Sequence, residues 1–305
     1  MKIAIASSSL VSTDAIESLQ SWRDVELVSI FTNPDKASGR GQKLTENQFA
    51  QWATSKELKV FKPSDEAELL HLLRTNEIEL LITIAYGHIL SLPVLQTPKY
   101  GCINLHFSLL PKYRGAAPVQ WTLLNGETKT GITVFNLDQG MDTGPILRQQ
   151  LVDIDPDDST SSLLEKLSAL SGDLLKESIT AIKSGEKGSP QSNIDVSLAP
   201  KILKEAGRIN WRGTSASIYN QYRALSENPG IFTELNGLRI RINRLAISNR
   251  SLDGKGSGSF IDGKLLIATD DFAVELISVT PEGRKEMSGA AFFNGLQSKA
   301  ELSFA

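Results

Sequence analysis

The sequence has a single cysteine, Cys102, and three histidines, His71, His88 and His106. One cysteine excludes an intramolecular disulfide and a cysteine-rich metal site, and it favours a reducing compartment. Three well-separated histidines give no metal-ligand cluster. No stretch reaches the ~20 apolar residues that a membrane-spanning helix needs, and the apolar run at the N-terminus is too short for a secretory signal. These absences predict a cytoplasmic protein.

The composition is that of an ordinary globular protein, with 40% hydrophobic and 22% charged residues among 305. A chain of this length is too long for one ordinary core and suits two domains. The formal net charge is −3, but residues 201–305 hold 14 Lys and Arg against 11 Asp and Glu, whereas residues 1–200 hold 18 against 24. A basic second part fits a polyanionic partner, and it fits chance variation in surface charge equally well.

Short apolar runs alternate with helix-like stretches along the first half of the chain. The runs are rich in Ile, Leu and Val, and they predict strands at 2–6, 25–32, 60–62, 80–85, 102–106, 132–137 and 146–154. A long helix is predicted from Ser162, with Glu165 as its capping-box partner, to about residue 182. This alternation predicts an α/β domain with a Rossmann-like, mostly parallel sheet and helices on both faces. In such sheets ligands bind at the carboxyl ends of the strands.

The periodicity stops after the long helix. Residues 188–204 contain several Gly, Ser and Pro residues, and we predict a linker there between domains at 1–187 and 205–305. Beyond it, short strands are predicted at 238–247, 256–262, 265–269 and 273–279, with a hairpin turn at Asp262 and Gly263. A small antiparallel barrel is the simplest arrangement in which these strands have no exposed edges.

A dense group of polar and turn-forming residues follows the strand predicted at 102–106. Asn104 and His106 lie two residues apart on that strand, so both side chains point to the same face of the sheet. An amide N–H can stabilise a developing oxyanion, and an imidazole can exchange a proton near neutral pH. Such a pair on a strand is more often structural than catalytic. Its position before a loop rich in Pro, Gly and Ala, at the ligand edge, favours a catalytic pair.

Two carboxylates, Asp138 and Asp142, lie in a Gly-rich loop directly after the strand predicted at 132–137. We expect this loop to leave the sheet at the same edge as His106. A carboxylate there can orient the imidazole or polarise a water molecule. The alternative is a turn stabilised by Asx hydrogen bonds, and it suits Asp138 better because Gly140 follows two residues later.

Together these motifs resemble those of the folate-dependent formyltransferases. The resemblance rests on Asn-x-His, then Ser-Leu-Leu-Pro and Arg-Gly, then Asp-x-Gly-x-Asp-x-Gly, in that order. It implies formyl transfer from 10-formyltetrahydrofolate without a metal, and a catalytic trio of Asn104, His106 and Asp142. It also implies two segments that bind the donor, which are Ser108, Leu109, Leu110 and Pro111, and Ala85, Tyr86, Gly87 and His88.

Within that superfamily, the chain is most similar along its length to the family that formylates methionyl initiator tRNA for translation initiation. An insertion at 33–44 resembles the family's loop for the acceptor end of tRNA, with Arg40 at the key position. Residues 205–211 resemble the start of the family's C-terminal domain, an OB-like tRNA-binding barrel. The resemblance implies a monomer in which the loop carrying Arg40 and Lys43 contacts the tRNA. Because OB barrels commonly bind oligonucleotides and this half is basic, the cations near the linker are candidate contacts to the tRNA backbone, and the alternative is that they are solvated surface charges: Lys201, Lys204, Arg208 and Arg212.

Other acceptors and another reaction are the alternatives. A sugar-nucleotide formyltransferase can also carry a second domain, and it would not require the Arg40 loop. A glycinamide-ribonucleotide formyltransferase would leave residues 205–305 unexplained. A nicotinamide dehydrogenase would need G-x-G-x-x-G after the first strand, and residues 7–10 do not provide it.

Overall fold

The computed structural model describes residues 1–38, 43–299 and 302–305, which form two compact units. The first unit consists of Met1–Pro118, Thr128–Asp155 and Ser161–Pro200. The second consists of Val119–Glu127, Pro156–Thr160 and Lys201–Ala305. Among the described residues, none of the helices is long and apolar enough to cross a membrane.

The described part of the first unit contains nine strands. They are β1 (Lys2–Ser7), β2 (Glu26–Phe31), β3 (Lys36–Ser38), β4 (Lys43–Thr45), β5 (Val60–Phe61), β6 (Leu80–Ile84), β7 (Cys102–His106), β8 (Lys129–Asn136) and β9 (Ile146–Asp153). Seven of them form one sheet in the order β5-β2-β1-β6-β7-β8-β9. The first five of that order are parallel neighbours, and β7, β8 and β9 are antiparallel to one another in turn. The predicted mostly parallel sheet is confirmed.

Helices follow most of these strands, and two more occur later in the chain. They are α1 (Thr13–Gln20), α2 (Gln48–Ser55), α3 (Glu66–Thr75), α4 (Leu92–Gln96), α5 (Pro118–Leu124), α6 (Thr160–Lys183), α7 (Ser215–Leu225) and α8 (Gly289–Asn294). The helix predicted from Ser162 begins two residues earlier, so Ser162 lies in its first turn and is not its N-cap. Side chains cap α2 and α3: Asn47 accepts a hydrogen bond from Ala50 N–H, and Asp65 accepts one from Glu68 N–H.

The core of the first unit lies against the central strands. Small residues of β1 and β7, Ala4, Ala6 and Cys102, are buried against the apolar faces of α3 and α4. Strand β1 is buried along nearly its whole length, which explains its continuous apolar sequence without polar alternation.

Strand β8 runs opposite to the direction that the sequence analysis assumed. Its last residue, Asn136, pairs with Ile103 near the start of β7, and Thr133 pairs with His106 at the end of β7. The loop at 137–145 therefore leaves the sheet at the amino end of β7. The expectation that it leaves at the edge of His106 is wrong, because the connection through α5 brings β8 back antiparallel to β7, and an apolar run does not encode strand direction.

The second unit is built on antiparallel strands. They are β10 (Ile231–Leu235), β11 (Leu238–Ile247), β12 (Ser257–Ile261), β13 (Lys264–Ile267), β14 (Val274–Pro281), β15 (Met287–Ser288) and β16 (Leu302–Ser303). The predicted hairpin turn joins β12 to β13, where Asp262 and Gly263 both have positive φ, 51° and 79°.

This sheet closes on itself. Its order is β10-β11-β14-β13-β12-β16, with β15 paired to β14. At the C-terminus, Leu302 and Ser303 pair with β12, and Ala305 exchanges two backbone hydrogen bonds with Glu234 of β10, at 2.8 and 2.9 Å. The last four residues thus join the two outer strands, and the separate antiparallel β domain is confirmed.

Candidate active site

Asn104 and His106 lie on one face of β7, as the two-residue spacing predicts. Thr83 lies opposite Asn104 on the neighbouring parallel strand β6. Asn104 Nδ2 donates to Thr83 Oγ1 at 2.8 Å, and Thr83 Oγ1 donates to Ile103 O at 3.3 Å. Because the threonine hydrogen is used there, its oxygen must accept from Asn104, and this sets the orientation of the amide. Thr83 is a positioning residue that was not predicted, because the register between β6 and β7 cannot be read from the sequence.

The Asn104 amide retains unused hydrogen-bonding capacity. Its Oδ1 is buried and accepts no hydrogen bond from the described residues. Its Nδ2 carries two hydrogens, of which Thr83 takes one. A buried amide with a free acceptor and a second N–H is suited to bind a small polar group of a ligand.

His106 is buried and is contacted from two loops. Its Nε2 lies 2.9 Å from the carbonyl oxygen of Tyr113, which can only accept, so Nε2 carries a hydrogen. Its Nδ1 lies 3.7 Å from Oδ2 of Asp142. The ring can therefore exchange a proton at Nδ1, beside a carboxylate.

Asp142 reaches His106 across the face of the sheet. Its loop starts at the amino end of β7, so it must travel about 10 Å along the strand at ~3.3 Å per residue. Gly115 N–H donates to Asp142 Oδ2 at 2.7 Å and fixes the carboxylate. Asp138 instead accepts from Gly140 N–H at 3.0 Å and from Thr143 Oγ1 at 2.6 Å. Asp138 is thus the turn residue, and Asp142 is the carboxylate at the imidazole.

Strained backbone conformations occur around this site. Three of the non-glycine residues with positive φ lie here: Ala85 at 47°, Tyr113 at 63° and Asp142 at 54°. Gly115 has a φ of +126°, and a Cβ on it would lie 2.6 Å from the carbonyl oxygen of Ala199. Such conformations cost ~1–3 kcal/mol each and cluster at functional sites.

Comparison with known proteins identifies the family. The Formyl transferase family model matches residues 1–179, and the model of the formyl transferase C-terminal domain matches residues 201–297. A methionyl-tRNA formyltransferase of Fusobacterium nucleatum is 34% identical over 291 residues, covering 93% of this chain and 94% of that protein. That of Caldicellulosiruptor saccharolyticus is 37% identical over 277 residues, covering 88% and 89%. The chain belongs to the methionyl-tRNA formyltransferase family.

A solved structure agrees in fold. The N-formyltransferase of Helicobacter canadensis, in complex with folinic acid and dTDP-3-aminofucose, matches with a TM-score of 0.67 and 22% identity, over 90% of this chain and 98% of that one. The family resemblance drawn from the Asn-x-His, Ser-Leu-Leu-Pro and Asp-x-Gly-x-Asp motifs is confirmed.

The first candidate donor segment of this formyltransferase, Ser108–Pro111, is held rigidly. Ser108 is fully buried, and its hydroxyl donates to Lys112 O at 2.7 Å. Thr133 of β8 donates to Ser108 O at 2.6 Å and accepts from Leu110 N–H at 3.2 Å. Gln149 donates to Leu110 O at 2.8 Å. Leu110 is buried and Leu109 and Pro111 are partly buried, so the segment offers a preorganised loop beside His106.

The second candidate segment, at 85–88, follows β6 directly, so it leaves the sheet beside the loop that follows β7. Ala85, Gly87 and His88 are exposed, whereas Tyr86 is buried. Burial, followed by the nearby charge of Glu66, raises the pKa of Tyr86. The two candidate segments thus lie at the carboxyl ends of neighbouring parallel strands, where ligands bind in such sheets.

The insertion at 33–44 is described at its two ends. Arg40 lies outside the described residues, and Lys43 begins β4, which pairs with β3 as a separate two-stranded ribbon. Lys62 Nζ lies 2.6 Å from Asp35 before the ribbon and 2.6 Å from Glu46 after it. A single cation thereby ties both ends of the ribbon to the sheet.

The candidate tRNA contacts of the second unit differ in their surroundings. Lys201 and Lys204 are exposed. Arg208 forms an ion pair of 2.5 Å with Glu234 and lies over the ring of Phe232, so it already has partners within the second unit. Strand β11 presents three exposed arginines that the sequence analysis did not single out: Arg239, Arg241 and Arg244. Because side chains alternate along a strand, Arg239 and Arg241 lie on the same face of β11. This spacing could have identified them as a basic pair from the sequence.

The described residues contain no group of three or more His, Cys, Asp or Glu side chains placed to hold a metal ion.

Proposed function

We propose that this chain transfers the formyl group of 10-formyltetrahydrofolate to the α-amine of methionyl initiator tRNA. The observation that carries the proposal is the arrangement of Asn104, His106 and Asp142 in a chain similar to methionyl-tRNA formyltransferases over 93% of its length. The similarity includes the C-terminal domain, matched at 201–297. Its proposed substrate is charged tRNA, so we place the enzyme in the cytoplasm, and we propose that it acts as a monomer.

Asn104 is assigned to the formyl oxygen. When the amine attacks the formyl carbon, a new C–N bond forms, the bond from that carbon to folate N10 breaks, and negative charge develops on the formyl oxygen. Asn104 has a second amide hydrogen to donate to this oxygen, since Thr83 takes only the first. Removing one such donor typically lowers the rate by ~10²–10³.

His106 and Asp142 are assigned to the proton. The attacking amine loses one proton and folate N10 gains one. His106 can carry it at Nδ1, because Tyr113 holds the Nε2–H. Asp142, 3.7 Å from Nδ1, balances the positive charge of the protonated ring.

The two segments beside this trio are assigned to the donor. Ser108–Pro111 and 85–88 leave neighbouring strands at the ligand edge. For the tRNA we retain Arg40, Lys43, Lys201, Lys204 and Arg208, and we add the exposed Arg239, Arg241 and Arg244 of β11. The domain boundaries at 187 and 205 are part of the same proposal, with an OB-like barrel that binds the tRNA.

One set of assays tests the acceptor. Formyl transfer is measured to methionyl initiator tRNA, to dTDP-3-aminofucose and to glycinamide ribonucleotide. The sugar nucleotide is the second candidate, because an enzyme of the same fold was solved with it. We expect transfer to the tRNA, and activity confined to a small molecule would refute the tRNA acceptor.

Two variants test the residue roles in the same assay. Asn104→Ala should lower kcat by ~10²–10³ with a smaller change in the KM for tRNA. Asp142→Asn removes the charge beside Nδ1 while preserving shape, and it should lower kcat by ~10² or more. Near-full turnover by either variant would contradict the role assigned to that residue.

A further inference from the structure

Residues 191–199, within the predicted linker, are hydrogen-bonded to a loop of the candidate active site. Ser197 O accepts from Arg114 N–H at 2.9 Å, and Ala199 N–H donates to Arg114 O at 2.7 Å. Ser197 Oγ accepts from Tyr113 N–H at 2.9 Å, and Ala199 O accepts from Ala117 N–H at 3.1 Å. The segment therefore lies along the loop that carries the Tyr113 carbonyl, and it groups with the first unit.

Gln191 joins this loop to the loop of Asp142. Its Oε1 accepts from Arg114 Nε at 3.1 Å and from Arg114 Nη2 at 2.6 Å. Its Nε2 donates to the carbonyl oxygens of Asp142 at 2.8 Å and Gly144 at 2.9 Å. One amide side chain thus makes four hydrogen bonds, two to each loop.

The two loops that Gln191 joins are those that contact His106 on either side. The 113–117 loop supplies the Tyr113 carbonyl to Nε2 and the Gly115 N–H to Asp142 Oδ2. The 140–144 loop supplies Asp142 to Nδ1. The distance between the carboxylate and the imidazole therefore depends on how these loops are held together.

Strand geometry alone does not set that distance. Asp142 starts from the opposite edge of the sheet, and its φ of 54° is costly for a residue with a side chain. The bonds from Gln191 to the carbonyls of Asp142 and Gly144 hold the backbone on both sides of residue 143 in place.

We propose that Gln191 is a positioning residue for formyl transfer, which sets Asp142 against His106 by tying the 140–144 loop to Arg114. This inference rests on the proposed function, because it assumes that His106 and Asp142 do the chemistry. Misplacing a reacting group by about 1 Å can cost ~10²-fold in rate, and loss of such supporting hydrogen bonds commonly costs ~10–100-fold.

Two substitutions separate the two halves of the Gln191 bridge. Gln191→Ala removes all four hydrogen bonds. Gln191→Glu keeps the oxygens that accept from Arg114 but removes both donors to the Asp142 loop. Kinetics with methionyl initiator tRNA should show kcat lowered ~10–100-fold in both variants, with KM changed less than about threefold. A kcat within twofold of wild type in folded Gln191→Glu would overturn the proposal.

Asn76→Ala is the matched control in the same unit. The Asn76 amide likewise accepts from a cation, Lys59 Nζ at 2.9 Å, and donates to a backbone carbonyl, Leu72 O at 2.8 Å. It lies at the end of α3, away from the site residues. Its removal should leave kcat unchanged, so an equal loss of kcat in this control would reduce the Gln191 effect to general destabilisation and overturn the proposal.

A spectroscopic measurement tests whether Gln191 acts through His106. With three histidines in the chain, imidazole ¹⁵N signals can be assigned one by one with His71→Gln and His88→Gln. Gln191→Glu should change the imidazole ¹⁵N chemical shifts of His106 and leave those of His71 and His88 in place. Unchanged His106 signals alongside a lowered kcat would refute positioning through the imidazole.

Asp142→Asn and the double variant distinguish the two hypotheses. If Asp142→Asn keeps full turnover, the proposed catalytic assignment fails, and the Gln191 inference fails with it. If Asp142→Asn loses turnover and Gln191→Glu does not, only the positioning inference fails. If both hypotheses are right, the double variant Asp142→Asn/Gln191→Glu should have a kcat only slightly below that of Asp142→Asn. The reason is that the two residues then act on the same step as one unit.

Discussion

A single added methyl group at Gly115 should disable the site without removing any functional group. Gly115→Ala keeps the backbone N–H that donates to Asp142. Its Cβ, however, would lie 2.6 Å from the Ala199 carbonyl oxygen, where ordinary contacts begin at 3.4 Å. The backbone must shift by about 0.8 Å, which would stretch the 2.7 Å bond to Asp142 Oδ2 beyond hydrogen-bonding distance.

The substitution should lower both kcat and the free energy of unfolding, and the two losses can be measured separately. A displacement of this size at a group that positions Asp142 should lower kcat by ~10²-fold. The φ of +126° adds strain for a residue with a side chain, so unfolding in urea should show a loss of ~1–3 kcal/mol. Steady-state kinetics and urea unfolding on the same preparation give both values.

Gly185→Ala is the control that carries strain without the clash. Gly185 has a φ of +89°, and a Cβ there meets no described atom within 4 Å. It should lose a similar amount of stability and keep its kcat. If Gly115→Ala retained kcat within twofold, or if Gly185→Ala lost as much kcat, the geometric coupling of Gly115 to Asp142 would be refuted.

Thr83→Val removes the acceptor for Asn104 Nδ2 at nearly constant volume, and kcat should fall ~10-fold; an unchanged kcat would show that the amide orients itself. Burial raises the pKa of Cys102 to about 12, so a disulfide reagent at pH 8 should label it only after unfolding, and labelling of the native enzyme within minutes would contradict this. The N–H of Ser215, foremost among its hydrogen-bond donors, lowers the pKa of Asp271 from 3.8 to about 2. The stability this adds is present above pH ~4 and lost as the pH falls towards 2, so Asp271→Asn should reduce the difference in urea stability between pH 7 and pH 3.

The fold was largely predictable because its strands are buried apolar runs. The strands predicted at 2–6, 80–85 and 102–106 differ from β1, β6 and β7 by one residue at most. Strand direction was not predictable in the same way. Neither the run at 132–137 nor its flanking turns distinguishes a parallel from an antiparallel neighbour, and the connection through α5 suggested a parallel one.

The site was predictable only where local geometry determines it. The spacing of Asn104 and His106 on one strand places them on one face. To predict that the Thr83 hydroxyl contacts Asn104 would have required the register between β6 and β7, which the sequence does not give. Gln191 lies in a segment without periodicity, and its partners at 114, 142 and 144 come together only through the tertiary path of the chain.

The trio therefore contains residues held in two different ways. Asn104 and His106 take their positions from β7, so a change that moves them must disturb the central sheet and the stability of the first unit. Asp142 comes from a loop that starts at the other edge, and hydrogen bonds from Gly115 and Gln191 hold it in place. Because those bonds lie outside the core, their loss should lower the transfer rate more than the stability. The carboxylate, rather than the strand pair, is then the part of the site that substitutions in surrounding loops can adjust.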